Sequence, residues 1–359
     1  MKKNIFIFLL LSILIFSGCN EPVFYTVSNE TPPIPPLMPG GPTKFAAVGT
    51  TNLYVASARS LYMFDGNEWT NANAPPGSHI RDIAANGSTL YAVVVDGGRG
   101  RLMQSTAPAL TTWTPSPWNS TVYTDIATVH LSGSGILVGA SNPSRSDWAT
   151  LNLNGSEVRS SGDFTHTGIV RASASSNFYI TTKGIRSSTN GALVPGSENI
   201  IFTGITTIGS GTVAMSRDGR LFSVGGSVSE ELSMERPSNS RGALLYWTDP
   251  TDTNNRILLA GTQDLANNYD ASDTHGYMEL VLSPTGGIVT GNTFKWPGTS
   301  PTTVENYERF VSSLRKHGLI DLVLFNNRLF ASTIQNGVWS LKDHKDGYGV
   351  YWNAERNEE

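Results

Sequence analysis

The densest group of side chains able to do chemistry is Asp249, Asp252, Asn254 and Asn255, followed by Asp264, Asp270, Asp273 and His275. Carboxylates two or three residues apart in a loop offer hard oxygens of the kind Ca2+ gathers, roughly six to eight at a time. The spacing lacks the order of an EF-hand loop and has no acid at its closing position, and Asp and Asn are also ordinary turn residues. No metal or cofactor is therefore expected, and Asp270, Asp273 and His275 are read as candidate ligand-facing residues. The six histidines, His79, His130, His166, His275, His317 and His344, stand apart from one another along the chain. No nucleophile elbow, Walker loop, dinucleotide fingerprint or His-Glu-x-x-His helix occurs, and Ser313-Leu314-Arg315-Lys316 lacks the companion motifs that a Ser-x-x-Lys nucleophile needs. The expectation is a protein without catalysis. Of the eight tryptophans, Trp118, between Pro117 and Asn119 in a predicted loop, is the candidate for an exposed, ligand-facing ring. Trp69, Trp113 and Trp352 fall near predicted outer strands and are expected to pack inside.

The single cysteine, Cys19, follows Ser17 and Gly18 at the end of an apolar stretch from Ile5 to Phe16, with Lys2 and Lys3 before it. At ~1.5 Å per residue this stretch covers about 18 Å of a hydrocarbon core about 30 Å thick, so it reads as an export signal and not as a spanning helix. A lone thiol has no partner for an intramolecular disulfide. Its placement resembles the lipobox of bacterial lipoproteins, in which the cysteine is acylated and the signal is cut just before it. Phe16 stands where that pattern prefers Leu, a position that spirochaete lipoproteins relax. The resemblance implies a signal peptide over 1–18, a lipid on Cys19 and attachment to a membrane of the cell envelope, on its periplasmic or surface side. Loss of Lys2 and Lys3 with the signal takes the net charge from −4 to −6.

After Cys19 the chain carries Pro22, Pro32, Pro33, Pro35, Pro36, Pro39 and Pro42, seven of its 19 prolines. Residues 19–43 are thus predicted to be an extended polyproline stalk rising ~3.1 Å per residue. The balance of 25 Lys+Arg against 29 Asp+Glu gives no electrostatic reason to expect nucleic acid. With 15% charged residues and 36 Gly, the composition is not that of a helical bundle. One all-β domain is expected over 44–356, followed by a tail over 357–359.

Within that domain Asn-Gly or Asp-Gly recurs eight times between Asp65 and Gly347, each a candidate two-residue type I′ hairpin. Taking Leu53, Leu90, Ile136, Phe178, Val213, Leu258 and Leu329 as equivalent second-strand positions gives steps of 37, 46, 42, 35, 45 and 71 residues. Five of the six lie near the length of one propeller blade, about 40 to 50 residues. The fold predicted is a β-propeller of seven blades, each of four antiparallel strands. The long step holds predicted strands at Tyr277 to Leu282 and Ile288 to Phe294, then one helix near 302–317. There Val304, Tyr307, Phe310, Val311 and Leu314 share a face, Thr302 and Glu305 form a capping box, and Gly318 ends the run.

The sequence of apolar pair, Asp65-Gly66 turn and Trp69 resembles the degenerate blades of kelch-like and sensor-type propellers, and of treponemal propeller lipoproteins. That resemblance implies a lipid-anchored propeller at the cell envelope that binds or scaffolds a protein or surface ligand. The alternative is an envelope glycan hydrolase or lyase with acidic and His residues at the channel.

Overall fold

Runs such as Leu90-Tyr91-Ala92-Val93-Val94-Val95 are apolar at every position, the pattern of a strand buried on both faces. A computed structural model describes residues 37–356 except 39, 119, 134, 145–146, 161–166, 174–176, 234–242, 249–255, 262–276, 283–313, 315–316, 335 and 344–349. Among the described residues the strands form seven small antiparallel sheets, taken here in chain order. Strands β1 (Ala46–Val48), β2 (Asn52–Ser57), β3 (Ser60–Phe64) and β4 (Trp69–Ala72) make the first. The second is β5 (His79–Asn86), β6 (Thr89–Asp96), β7 (Arg99–Thr106) and β8 (Thr114–Pro115). The third is β9 (Asp125–Ser132), β10 (Gly135–Asn142) and β11 (Asp147–Asn152), and the fourth β12 (Val170–Ser173), β13 (Phe178–Thr181) and β14 (Gly184–Ser187). The fifth is β15 (Phe202–Ile208), β16 (Gly211–Ser216), β17 (Arg220–Val224) and β18 (Val228–Ser233). The sixth is β19 (Leu244–Thr248), β20 (Arg256–Gly261) and β21 (Tyr277–Leu282). The last is β22 (Leu319–Phe325), β23 (Arg328–Thr333), β24 (Val338–Asp343) and β25 (Val350–Ala354).

The core lies between sheets. Leu90, Ala92 and Val94 of β6 pack with Tyr54 and Ala56 of the first sheet, while Tyr91 and Val93 of the same strand pack with Ile136 and Val138 of the third. Alternation of side chains along a strand thus serves two neighbours at once. Tyr179 faces Leu137, Ile180 faces Phe202, and Trp352 closes on Trp247, so the same rule runs round the sheets. Leu53 and Val55 of the first sheet meet Phe325 and Phe330 of the last, which completes a ring. The fold is an all-β propeller.

The ring is closed by a segment that the sequence suggests is stalk. The compact unit runs Pro36–Glu355. Leu37 donates its N–H to Glu355 O at 3.0 Å, Gly40 bridges Asn336, and Thr43 donates to Ala56 O at 2.7 Å, so Leu37 to Thr43 clasps the last sheet to the first. Met38 is fully buried among Phe45, Phe64 and Phe330. Gly41 permits the approach, because a Cβ there would stand 2.2 Å from Ile334 O.

Among the described residues the third, fourth and sixth sheets show three strands where four are expected. In the third and fourth the outer edge is met by single bridges, Leu151 to Glu157 and Arg186 to Leu193, as the chain returns toward the next sheet. No helix occurs among the described residues, and the predicted helix near 302–317 falls largely outside them, as does the strand predicted at Ile288 to Phe294. Among the described residues Asp65, Asn86, Asp96, Asn154 and Asn190 keep negative φ, so none of these Asn-Gly or Asp-Gly pairs fills both central positions of a type I′ turn. Positive φ at both loop residues occurs at Gly97-Gly98 and at Asn326-Asn327, a pair lacking the glycine that marks such a turn in sequence.

Gly41→Ala should open the clasp and cost about 2–4 kcal/mol, the scale of exposing Met38 and losing its neighbouring hydrogen bonds. A chain begun at Pro36 should likewise outlast one begun at Lys44 in urea titration, measured as a higher midpoint.

Candidate functional site

The first strands of successive sheets neighbour one another around the centre of the ring. Five of them, β5, β9, β12, β15 and β22, carry a register shift near their start that leaves Arg81, Ala127, Arg171, Thr203 and Ile320 outside the ladder. A bulge re-aims the side chains beside it. After it, Asp82 accepts from Ile83 N at 3.0 Å and, across the sheet boundary, from Val129 N at 2.9 Å. Asp321 repeats the arrangement, accepting from Leu322 N at 2.9 Å and from Phe45 N at 2.8 Å on the first sheet. Lys44 stands between them: its Nζ lies 2.5 Å from Asp82 Oδ2 and also donates to Val129 O. Thr128 donates to Val170 O at 2.8 Å. These side chains tie the last sheet to the first, the first to the second, the second to the third and the third to the fourth.

Burial raises Asp321 to about 6, against the pull of its two amide donors and Lys44, with Asp82 adding to the rise. His130 is buried; desolvation first and Lys44 second hold it well below the usual imidazole value, which keeps it neutral at pH 7. Because both oxygens of Asp82 and of Asp321 are committed to backbone N–H groups, the arc positions strands and offers no idle carboxylate. No group of three His, Cys, Asp or Glu placed to hold a metal ion occurs among the described residues.

The ends at which the first strands begin form one face of the ring, called here the leading face. On it Arg81 bonds Ile126 O at 2.9 Å and approaches Asp125 at 3.3 Å, and Gly100 donates to Asp125 at 2.8 Å. Gly100 is required, since a Cβ would meet Ile126 O at 1.8 Å. Asp125, Ser141 and Trp148 lie in one row across β9, β10 and β11. Trp148 is 40% exposed, and Val122, three residues before β9, is 53% exposed. Ile201, 50% exposed, precedes β15 on the same face. Leu131 and Leu324 are exposed beside the first hairpins, on the opposite face.

Trp118 is not the exposed ring that its prolines suggest: it is half-buried against the cluster of Tyr123, Ile126 and Leu151. Trp69, Trp113 and Trp352 pack inside as expected. Asp270, Asp273 and His275 lie between β20 and β21, outside the described residues, as do Cys19, Asp249, Asp252 and Asp264. Sequence reasoning misses Lys44, Asp82, Asp321 and Trp148. Asp82 and Asp321 had a signal, an acid set inside an apolar strand followed by Ile or Leu.

No protein-family profile matches the chain, and no curated protein does. Solved structures share its fold. The extracellular domain of a one-component system of B. thetaiotaomicron matches at TM-score 0.53 and 13% identity, over 87% of this chain and 39% of that one, so the chain spans about two fifths of that relative. YCF48 bound to D1 peptide matches at 0.52 and 10% identity, over 86% and 95% of the two chains. The WD40 β-propeller domain of Doa1 matches at 0.50 and 12%, over 86% and 95%. These likenesses define the class, an all-β propeller.

Asp82→Ala should destabilise by about 2–4 kcal/mol, since it leaves two buried amides without their acceptor and Lys44 without its counter-charge. Asp321 binds its proton more tightly folded than unfolded, so its contribution is fullest below the ordinary value of 3.8 and is lost as pH rises to about 6. Urea midpoints of Asp321→Asn and the parent should therefore diverge between those values, with the parent falling relative to the variant as pH rises.

Proposed function

We propose that this chain is a lipid-anchored propeller of the cell envelope that binds or scaffolds a protein or surface ligand on its leading face. The observation that carries the reading is the exposure of Trp148 and of Val122 at the same end of the ring, where loops of several sheets converge. Each of the seven sheets acts as one blade in this reading. Cys19 supplies the anchor after removal of residues 1–18, and residues 20–36 act as the spacer before the clasp. Support for a protein ligand and an extracytoplasmic place comes from propellers of similar fold, one bound to a peptide and one an extracellular domain. The non-catalytic role draws support from the channel carboxylates Asp82 and Asp321, each committed to two backbone amides.

In labelling with radioactive palmitate, the parent chain should take up lipid and fractionate with membranes. Cys19→Ala should remain unlabelled and uncleaved. Pull-down from solubilised envelopes with the acylated chain should retain a stoichiometric partner that Trp148→Ala releases. Turnover of envelope glycan by the purified protein would contradict the binding role.

A further inference from the structure

The turns joining second to third strands open on the leading face, and those described carry more cations than acids, the acids being Asp96, Asp147 and Asp218. Arg59 lies between β2 and β3, Arg99 begins β7, Lys183 lies between β13 and β14, and Arg217 and Arg220 flank the turn before β17. Several acids of this face are already matched: Asp96 by Arg101 at 3.0 Å, Asp125 by Arg81 at 3.3 Å, and Asp218 by Arg220 at 2.8 Å. Arg59 donates through Nε to Ser78 O at 2.6 Å, a neutral acceptor. Among the described residues no ion pair reaches Arg59, Arg99 or Lys183, and all three are exposed. The described turns of the opposite face instead hold Asp65, Glu68, Asn86, Asn326 and Asn327, and its Arg328 lies over the Phe64 ring at 5.3 Å.

Lys183 and Arg99 lie on the rim to either side of Trp148. Trp148 and Thr150 project from the same side of β11, two residues apart. Thr150 donates to Gly168 O at 2.7 Å, and a Cβ on Gly168 would stand 2.9 Å from Lys183 Cγ. Trp148 therefore stands at the rim where the third sheet meets the Lys183 turn. On the other side, Gly100, next to Arg99, is bonded to Asp125 in the row that ends at Trp148.

We infer that the leading rim from the second to the fourth sheet receives an acidic, partly apolar polypeptide segment. Its aliphatic or aromatic side chains rest on Trp148 and Val122, and its carboxylates face Arg99 and Lys183. The inference rests on the leading face being the binding face and adds the chemistry of the partner. A net charge of −4 on the whole chain makes this cationic rim a local feature, so an acidic segment gains there what the rest of the surface withholds.

The test is selection of a displayed random-peptide library on the full chain, followed by binding of the enriched peptides to variants shown by circular dichroism to be folded. Enriched peptides should combine Asp or Glu with aliphatic or aromatic residues. Their affinity should fall roughly tenfold or more in Trp148→Ala and in the Arg99→Glu, Lys183→Glu double variant, weaken with salt, and stay unchanged in Leu324→Glu on the opposite face. Enrichment of basic or neutral peptides, or loss of binding in Leu324→Glu alone, overturns the inference while leaving a binding role standing. Retention of heparin without any peptide, abolished by the double variant, overturns it in favour of an anionic glycan. No enrichment and no heparin retention overturns both the inference and the leading face as a binding surface.

Discussion

Burial of both faces of each second strand is the constraint on which the rest of this protein depends. Leu90, Ala92 and Val94 need the first sheet, whereas Tyr91 and Val93 need the third, so the second sheet alone would leave a row of large apolar side chains in water on either side. At about 1.5–3 kcal/mol for each fully buried large side chain, such a row outweighs anything a sheet of three or four short strands holds internally. Stacked sheets satisfy the requirement everywhere except at their ends, and a ring removes the ends. The boundary between last and first sheets is where the chain cannot rely on continuity. Aromatic rings pack closely across it, with Phe64 and Phe330 centroids 5.0 Å apart and Trp69 edge-on to Phe330 at 5.8 Å. The clasp from Leu37 to Thr43 lies over the same boundary.

Near the centre of the ring the first strands converge, and polar side chains link neighbouring sheets there. There the spacing between sheets is set by Lys44, Asp82, Thr128 and Asp321, each reaching the next sheet's backbone or its carboxylate. Placing carboxylates in so enclosed a region is costly, as the rise of Asp321 toward 6 shows, and amide donors offset part of that cost. The bulges beside Asp82 and Asp321 let a residue of a strand point at its neighbour instead of along its own ladder. These ties between first strands lie behind the leading face that carries Val122, Trp148 and the cationic turns.

The ring of sheets was legible because period-two apolar runs and glycine punctuation are local properties of the chain. Leu53, Leu90 and Leu329 occupy equivalent second-strand places, and Trp69 and Trp352 pack between sheets, as their apolar neighbours indicate. What composition could not reveal depends on contacts between distant segments. Met38 and Gly41 sit in a proline-rich run that reads as stalk, and only their approach to Phe330 and Ile334 makes them part of the ring. Trp118, flanked by Pro117, looks exposed until Tyr123 and Leu151 cover it, while Trp148, on a regular strand, is the ring that meets solvent. Asp82 and Asp321 interrupt apolar strands for a reason that lies on the next sheet.

If the sheets hold one another up as described, the arc of carboxylates and the clasp should open only when the whole ring does. Native-state hydrogen exchange of the amides of Leu37, Phe45, Ile83, Val129 and Leu322 tests this directly, because each donates to an acceptor on the arc or across the closing boundary. All five should exchange with the free energy and urea dependence of global unfolding. Exchange of Leu37 and Phe45 through a small opening, while Val129 and Ile83 stay protected, would show that the ring does not depend on its closure and would contradict that expectation.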